Sequence, residues 1–132
     1  MTSTAISSPA ARTRCPVSDR NRSTDILFSK VVRMRGFCQK CGGIGPWECA
    51  HIIRRRYLRT RWEKDNAWCL CHYCHRRVDS SDREFSELVE LTIGWDRYDE
   101  LHALAHAVDT PKPDRVSVRK QLRKELNDLE VV

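Results

Sequence analysis

Two short cysteine pairs, Cys38-x2-Cys41 and Cys71-x2-Cys74, stand 29 residues apart. Each pair can fold into a turn that aims both sulfurs at one ion, and together they complete a tetrahedral four-thiolate set suited to structural zinc. Gly42 and Gly43 follow the first pair and free the backbone for that turn. Cys69 competes as a ligand, because Cys69-Leu70-Cys71 would put two thiols on one side of a strand. The gap between Cys71 and Cys74 matches the first pair, so those two are preferred. Cys49 and Cys69 then read as small buried apolar residues.

A thiolate-bound zinc alone would make a binding module. The case for chemistry rests on the residues between and beside the pairs: Glu48-Cys49-Ala50-His51-Ile52-Ile53-Arg54-Arg55-Arg56, then Arg61-Trp62, Asp65-Asn66, and Leu70-Cys71-His72-Tyr73-Cys74-His75. A lone His51 in an apolar run would ordinarily be a hydrogen-bonded core histidine, and His75 a spare residue of the cysteine turn. Their ordered combination with Asn66 is more specific than any one of them. Arg54, Arg55, Arg56, Arg59 and Arg61 fall within eight residues, a density of guanidinium groups suited to phosphate.

Over residues 36–80 this pattern resembles the HNH nuclease family, in particular small phage-encoded members whose ββα-metal finger is framed by two Cys-x2-Cys pairs. The resemblance implies an α+β fold: a zinc-stabilised ββα core with flanking helices. It also implies a hairpin whose first strand carries His51, whose loop is pinned by Asn66, and whose following helix carries His75. In that reading His51 is the general base that takes a proton from water, and His75 holds a catalytic divalent ion such as Mg²⁺, Mn²⁺, Ni²⁺ or Zn²⁺. Asn66 holds the loop and so orients His51. Arg55 and Arg61 become the leading phosphate contacts, with Arg54 and Arg56 beside them.

The sequence departs from the family at Ala50, where many members carry an Asp or His as a second ligand to the ion. Glu48 is a spare candidate, but a strand sets it on the face opposite His51, which argues against it. His72 reads as exposed. His102 and His106 lie four apart on one helix face without an evident third ligand, and read as solvated polar positions.

Positioning these groups falls to a small set of elements. Residues 1–23, rich in Ser, Thr, Ala, Pro and Arg, show no apolar periodicity and are expected to form a disordered basic arm. A helix is expected from Asp25 to Gly36. Ser81-Asp82-Arg83-Glu84 matches a capping box, opening a helix that runs toward Gly94. Asp96 is expected to cap another, with Tyr98, Leu101, Ala105 and Val108 on one stripe, up to Pro111-Lys112-Pro113. Ser117 then precedes Val118, Leu122, Leu126 and Leu129, an apolar stripe that needs a partner in its own core or in another chain. The nuclease domain is thus expected over residues 24–110, with residues 111–132 as a linker and a C-terminal helix.

The chain carries a net charge of +6, unevenly spread. Residues 30–77 hold twelve Lys or Arg against three Asp or Glu, whereas residues 78–132 hold eight against thirteen. The basic charge therefore gathers around the cysteines, as a surface for phosphate backbones would require. DNA is the expected partner, cut with little sequence selectivity, since no groove-reading helix is evident. The family resemblance adds a phage packaging protein such as a terminase, and the last helix adds self-association. Seven cysteines, an odd number crowded mostly into residues 38–74, argue for metal-bound thiolates in a reducing cytoplasm, the host's if phage-encoded, rather than a disulfide scaffold. No apolar run approaches a membrane span.

Overall fold

The computed structural model describes residues 15–131. Its elements in order are α1 (Cys15–Arg33), β1 (Trp47–His51), the short helix α2 (Leu58–Arg61), a 3-10 turn (Lys64–Asn66), β2 (Ala67–Cys71), α3 (His72–Ser80), α4 (Asp82–Leu91), α5 (Gly94–Ala105) and α6 (Arg115–Val131). The result is a small α+β fold in which helices cover both faces of one two-stranded antiparallel sheet. The register pairs Trp47 with Cys71, Cys49 with Cys69, and His51 with Ala67. A two-stranded sheet is marginal alone in water, so packing on both faces is what holds it. Among the described residues, no helix is long and apolar enough to cross a membrane.

Alternation along the strands sends side chains into two separate layers. Ala50, Trp68 and Leu70 face one layer, where Val78 of α3 and Leu88 and Val89 of α4 close over them. Ala67 and Cys69 face the other, against Phe28, Val31 and Val32 of α1, Trp62, and Leu122 and Leu126 of α6. A third small cluster joins Ile53 to Leu101 and Ala105 of α5, seating the β1–β2 loop on that helix.

The helix boundaries follow local chemistry, not always the expected kind. Ser81 caps α4 by accepting a hydrogen bond from the Glu84 amide at 3.2 Å. The Glu84 carboxylate does not complete the box; it pairs instead with Arg77 and Lys40, binding α4 to α3 and to the first cysteine turn. α5 starts at Gly94, two residues before the expected cap Asp96, and it ends at Ala105, so Val108 lies outside the helix and is exposed.

The largest correction is at the front. α1 begins at Cys15, ten residues ahead of the expected start at Asp25, so the second part of the expected disordered arm is helical; residues 1–14 of that arm lie outside the described residues. Pro16 falls in the first turn, where its missing N–H leaves nothing unpaired. Asn21 and Thr24 are buried, and they meet α6 through hydrogen bonds from Arg115 to Asn21 (2.7 Å) and from Arg119 to Thr24 (3.1 Å). The partner required by the α6 stripe is therefore α1 of the same chain, which takes Leu122 and Leu126, while Leu129 stays partly exposed.

Candidate functional site

Cys38, Cys41, Cys71 and Cys74 come together at the end of the sheet, with their sulfurs all within 4.8 Å of one another. The first turn closes through Gly42, at φ +76°, whose amide donates to the Cys38 carbonyl at 2.7 Å. The second pair straddles the junction of β2 and α3, where the Cys74 amide points at the Cys71 sulfur. Four sulfurs at ~2.3 Å from one tetrahedral ion lie about 3.8 Å apart, and Cys41 and Cys71 stand 3.9 Å apart. The four cysteines can thus hold a metal ion such as zinc.

The electrostatics agree with that donor set. Burial works to raise the Cys38 thiol, but the amides of Cys41, Cys71 and Lys40 point at its sulfur and bring it down to about 6. Burial and the neighbouring sulfurs push Cys74 up, a crowding that a cation relieves. Cys69 does not join the cluster. It is fully buried opposite Cys49 in the layer with Phe28 and Trp62, and burial pushes the Cys49 thiol up to about 12.

His51 closes β1. Its Nε2–H donates to the Arg61 carbonyl at 2.8 Å, and its ring stacks on Phe28 of α1 with centroids 5.5 Å apart. A carbonyl can only accept, so Nε2 carries the proton and Nδ1 of the neutral ring is bare. Burial holds the imidazole below its ordinary value of 6.5, which keeps it neutral near pH 7.

Asn66 fixes the loop that supplies this carbonyl. Its side chain is fully buried; Oδ1 accepts from the Ile53 amide at 2.8 Å, and Nδ2 donates to the carbonyls of Ile53 (3.2 Å) and Thr60 (2.9 Å). Thr60 precedes Arg61, so the amide of Asn66 sets the position of the group that His51 leans on.

The arginines divide into two kinds. Arg54, Arg55 and Arg56 are exposed. Arg61, expected to face phosphate, turns inward instead. Its Nε and Nη2 form a fork on Asp25 of α1 at 2.9 and 2.6 Å, and its Nη1 donates to the Arg55 carbonyl. Burial acts to raise the Asp25 carboxyl, but hydrogen bonds from Arg61 and Trp62 outweigh it and hold that carboxyl below the usual range. Asp25 is thus a clamp between α1 and the loop, not the start of a helix.

His75 lies on the first turns of α3, and its Nδ1–H donates to Glu48 Oε1 at 2.7 Å. His72 donates to the other oxygen, Oε2, at 2.9 Å. The expectation that strand alternation removes Glu48 is therefore corrected. Glu48 does leave the sheet on the face opposite His51, but that is the face on which α3 packs, and His75 meets it there. Both imidazoles hold the Glu48 carboxyl below the usual carboxylate range.

An open cleft of about 460 Å³ runs along these groups, with Asp25, Phe28, Glu48, His51, Arg55 and His75 in its wall. A second cleft of about 400 Å³ reaches His51 from the other side, past Arg54, Arg56 and Asp79. His102 and His106 face it too. Both are exposed, as expected, and their rings also lie 4.4 Å apart, with His106 packed at a tilt on Tyr57 at 4.7 Å, so they form part of an aromatic wall. Nothing in the single helix pattern could have shown Tyr57 arriving from the loop.

Comparison of the chain with protein-family models, with curated proteins and with solved structures finds no match.

Proposed function

We propose that this chain is a metal-dependent endonuclease of the HNH type, hydrolysing DNA phosphodiester bonds with little sequence selectivity. The observation that carries the reading is the His51 ring. It is neutral, braced on both sides, protonated at Nε2 and bare at Nδ1, and it lines a cleft together with Glu48, Arg55 and His75.

A base of this kind can take a proton from water as the oxygen attacks phosphorus. Asn66 and the Arg61 carbonyl keep the ring from turning, and Arg61 acts as a positioning residue through its fork on Asp25. Arg54, Arg55 and Arg56 present exposed guanidinium groups to the phosphate backbone, with Arg55 3.9 Å from Asp25 and Arg56 donating to the Tyr57 hydroxyl. The donor chemistry of His75 suits a divalent ion, which when bound supplies charge stabilisation at the phosphate and the departing oxygen. A zinc ion on the four cysteines would tie down the sheet end from which α3 presents His75.

Supercoiled plasmid tests this directly, with chelator or with added Mg²⁺, Mn²⁺ or Ni²⁺, beside a His51→Ala variant that retains its zinc. Cutting that requires both the ion and His51 is the expected result. A folded protein that binds plasmid but leaves it intact with every ion would instead be a zinc-stabilised nucleic-acid-binding module, the reading favoured by the buried methyl of Ala50 where a ligand would stand.

A further inference from the structure

We infer that Glu48 and His75 form the divalent-cation site of this cleft, with Glu48 as the carboxylate ligand that position 50 lacks. The inference rests on the nuclease reading for its purpose but not for its geometry. Residues 48 and 50 project from the same face of β1, one strand repeat apart. Ala50 is buried under α3 and α4 and offers no donor. Glu48 stands toward the cysteine end of the strand, with a side chain that reaches His75 across the gap to α3. Its side chain is 41% exposed and that of His75 27%, so both are open to a hydrated ion.

The donors are arranged as ligands of one ion would be. Glu48 Oε1 and His75 Nδ1 lie 2.7 Å apart, and a small rotation of either partly exposed side chain opens this to the roughly 3 Å between neighbouring ligands of an octahedral ion bonded at ~2.1 Å. A cation entering there displaces the proton that the two now share. His75 Nε2 lies 3.6 Å from Asp79 Oδ2, so once Nδ1 binds the ion and the neutral ring carries its proton on Nε2, a carboxylate stands near that N–H. His72 donates to Oε2 and fixes the rotation of the carboxylate. Glu48 and His75 line the same cleft as His51, so an ion held by them and the His51 ring both border the space a phosphate would enter. The neighbouring Asp79 and the more distant Asp25 are not alternatives of equal standing. Asp79 is 72% exposed and meets only the far nitrogen of His75, and Asp25 is spent on Arg61 and Trp62.

The test is binding, read apart from cleavage. Full-length protein with its measured zinc content is titrated with Mn²⁺, and free Mn²⁺ is followed by electron paramagnetic resonance in the wild type and in E48Q, H75A, H72A and D79N. Thermal melting confirms that each variant is folded, which the exposure of Glu48 favours. One Mn²⁺ beyond the zinc is expected in the wild type, with affinity falling more than about tenfold in E48Q and in H75A, and by less in H72A and D79N, as for groups that only orient ligands. Wild-type affinity in E48Q, a loss in D79N that exceeds the loss in E48Q, or no second ion in the wild type would overturn the assignment. If E48Q binds Mn²⁺ normally while plasmid cutting still needs His51, the ligand assignment fails and the nuclease reading stands. If Mn²⁺ binds through Glu48 and His75 but no substrate is cut, the reverse holds.

Discussion

Replacing Asn66 by alanine leaves the Ile53 amide and carbonyl buried without partners and takes one of its donors from the Thr60 carbonyl. Each such loss costs about 1–3 kcal/mol, so Asn66→Ala is expected to destabilise the protein by roughly 3 kcal/mol or more in urea unfolding, and to loosen the Arg61 carbonyl that braces His51. His51→Ala should leave the fold intact and lower plasmid cutting by about 10²–10⁴-fold, the usual contribution of a general base. Acid should have two effects through this residue. Its folded value lies below 6.5, so the unfolded chain binds protons first as pH falls. The stability due to neutral His51 is therefore complete above about pH 6.5 and is lost as pH drops from there toward the folded value, while cutting declines as Nδ1 is protonated. Circular dichroism and cleavage rates between pH 7.5 and 5 check both. The cysteine quartet was legible in the sequence because its ligand spacing is local. Glu48 was not, because strand alternation describes which face a residue leaves from and is silent about the helix that waits there.

At the scale of elements, the sheet is stable only between its two helical layers. Leu122→Ala on α6 empties a buried position against α1 and should cost about 2–5 kcal/mol by chemical denaturation. It should also weaken cutting, because α1 carries both Phe28, which stacks on His51, and Asp25, which holds Arg61. The capped start of α4 and the apolar stripe of α6 could be read from side-chain pattern. The first half of α1 could not, since the buried positions described there are Asn21 and Thr24, polar residues that pack by hydrogen-bonding Arg115 and Arg119 almost a hundred positions away. Periodicity finds a helix only when its buried face is apolar.

Over the whole molecule, basic charge gathers around the cysteines and the loop after β1 while α4 and α5 carry the acidic excess. Exposed Arg54, Arg55 and Arg56 should contribute to DNA affinity chiefly through counterion release, so alanine at any one of them should reduce the slope of log K against log salt by about one unit without altering where the DNA is cut. Stripping the metal with a strong chelator should disrupt the layer built on Cys38 and Cys74, seen as a loss of the near-ultraviolet signal of Trp68, which packs in that same layer. The embrace of α1 and α6 has a further consequence for biogenesis. Helices drawn from opposite ends of the described chain complete a single apolar layer, so on the ribosome Phe28, Val32 and Cys69 stay uncovered until residues 115–131 have emerged. His51 cannot be braced against Phe28 in a finished layer before then.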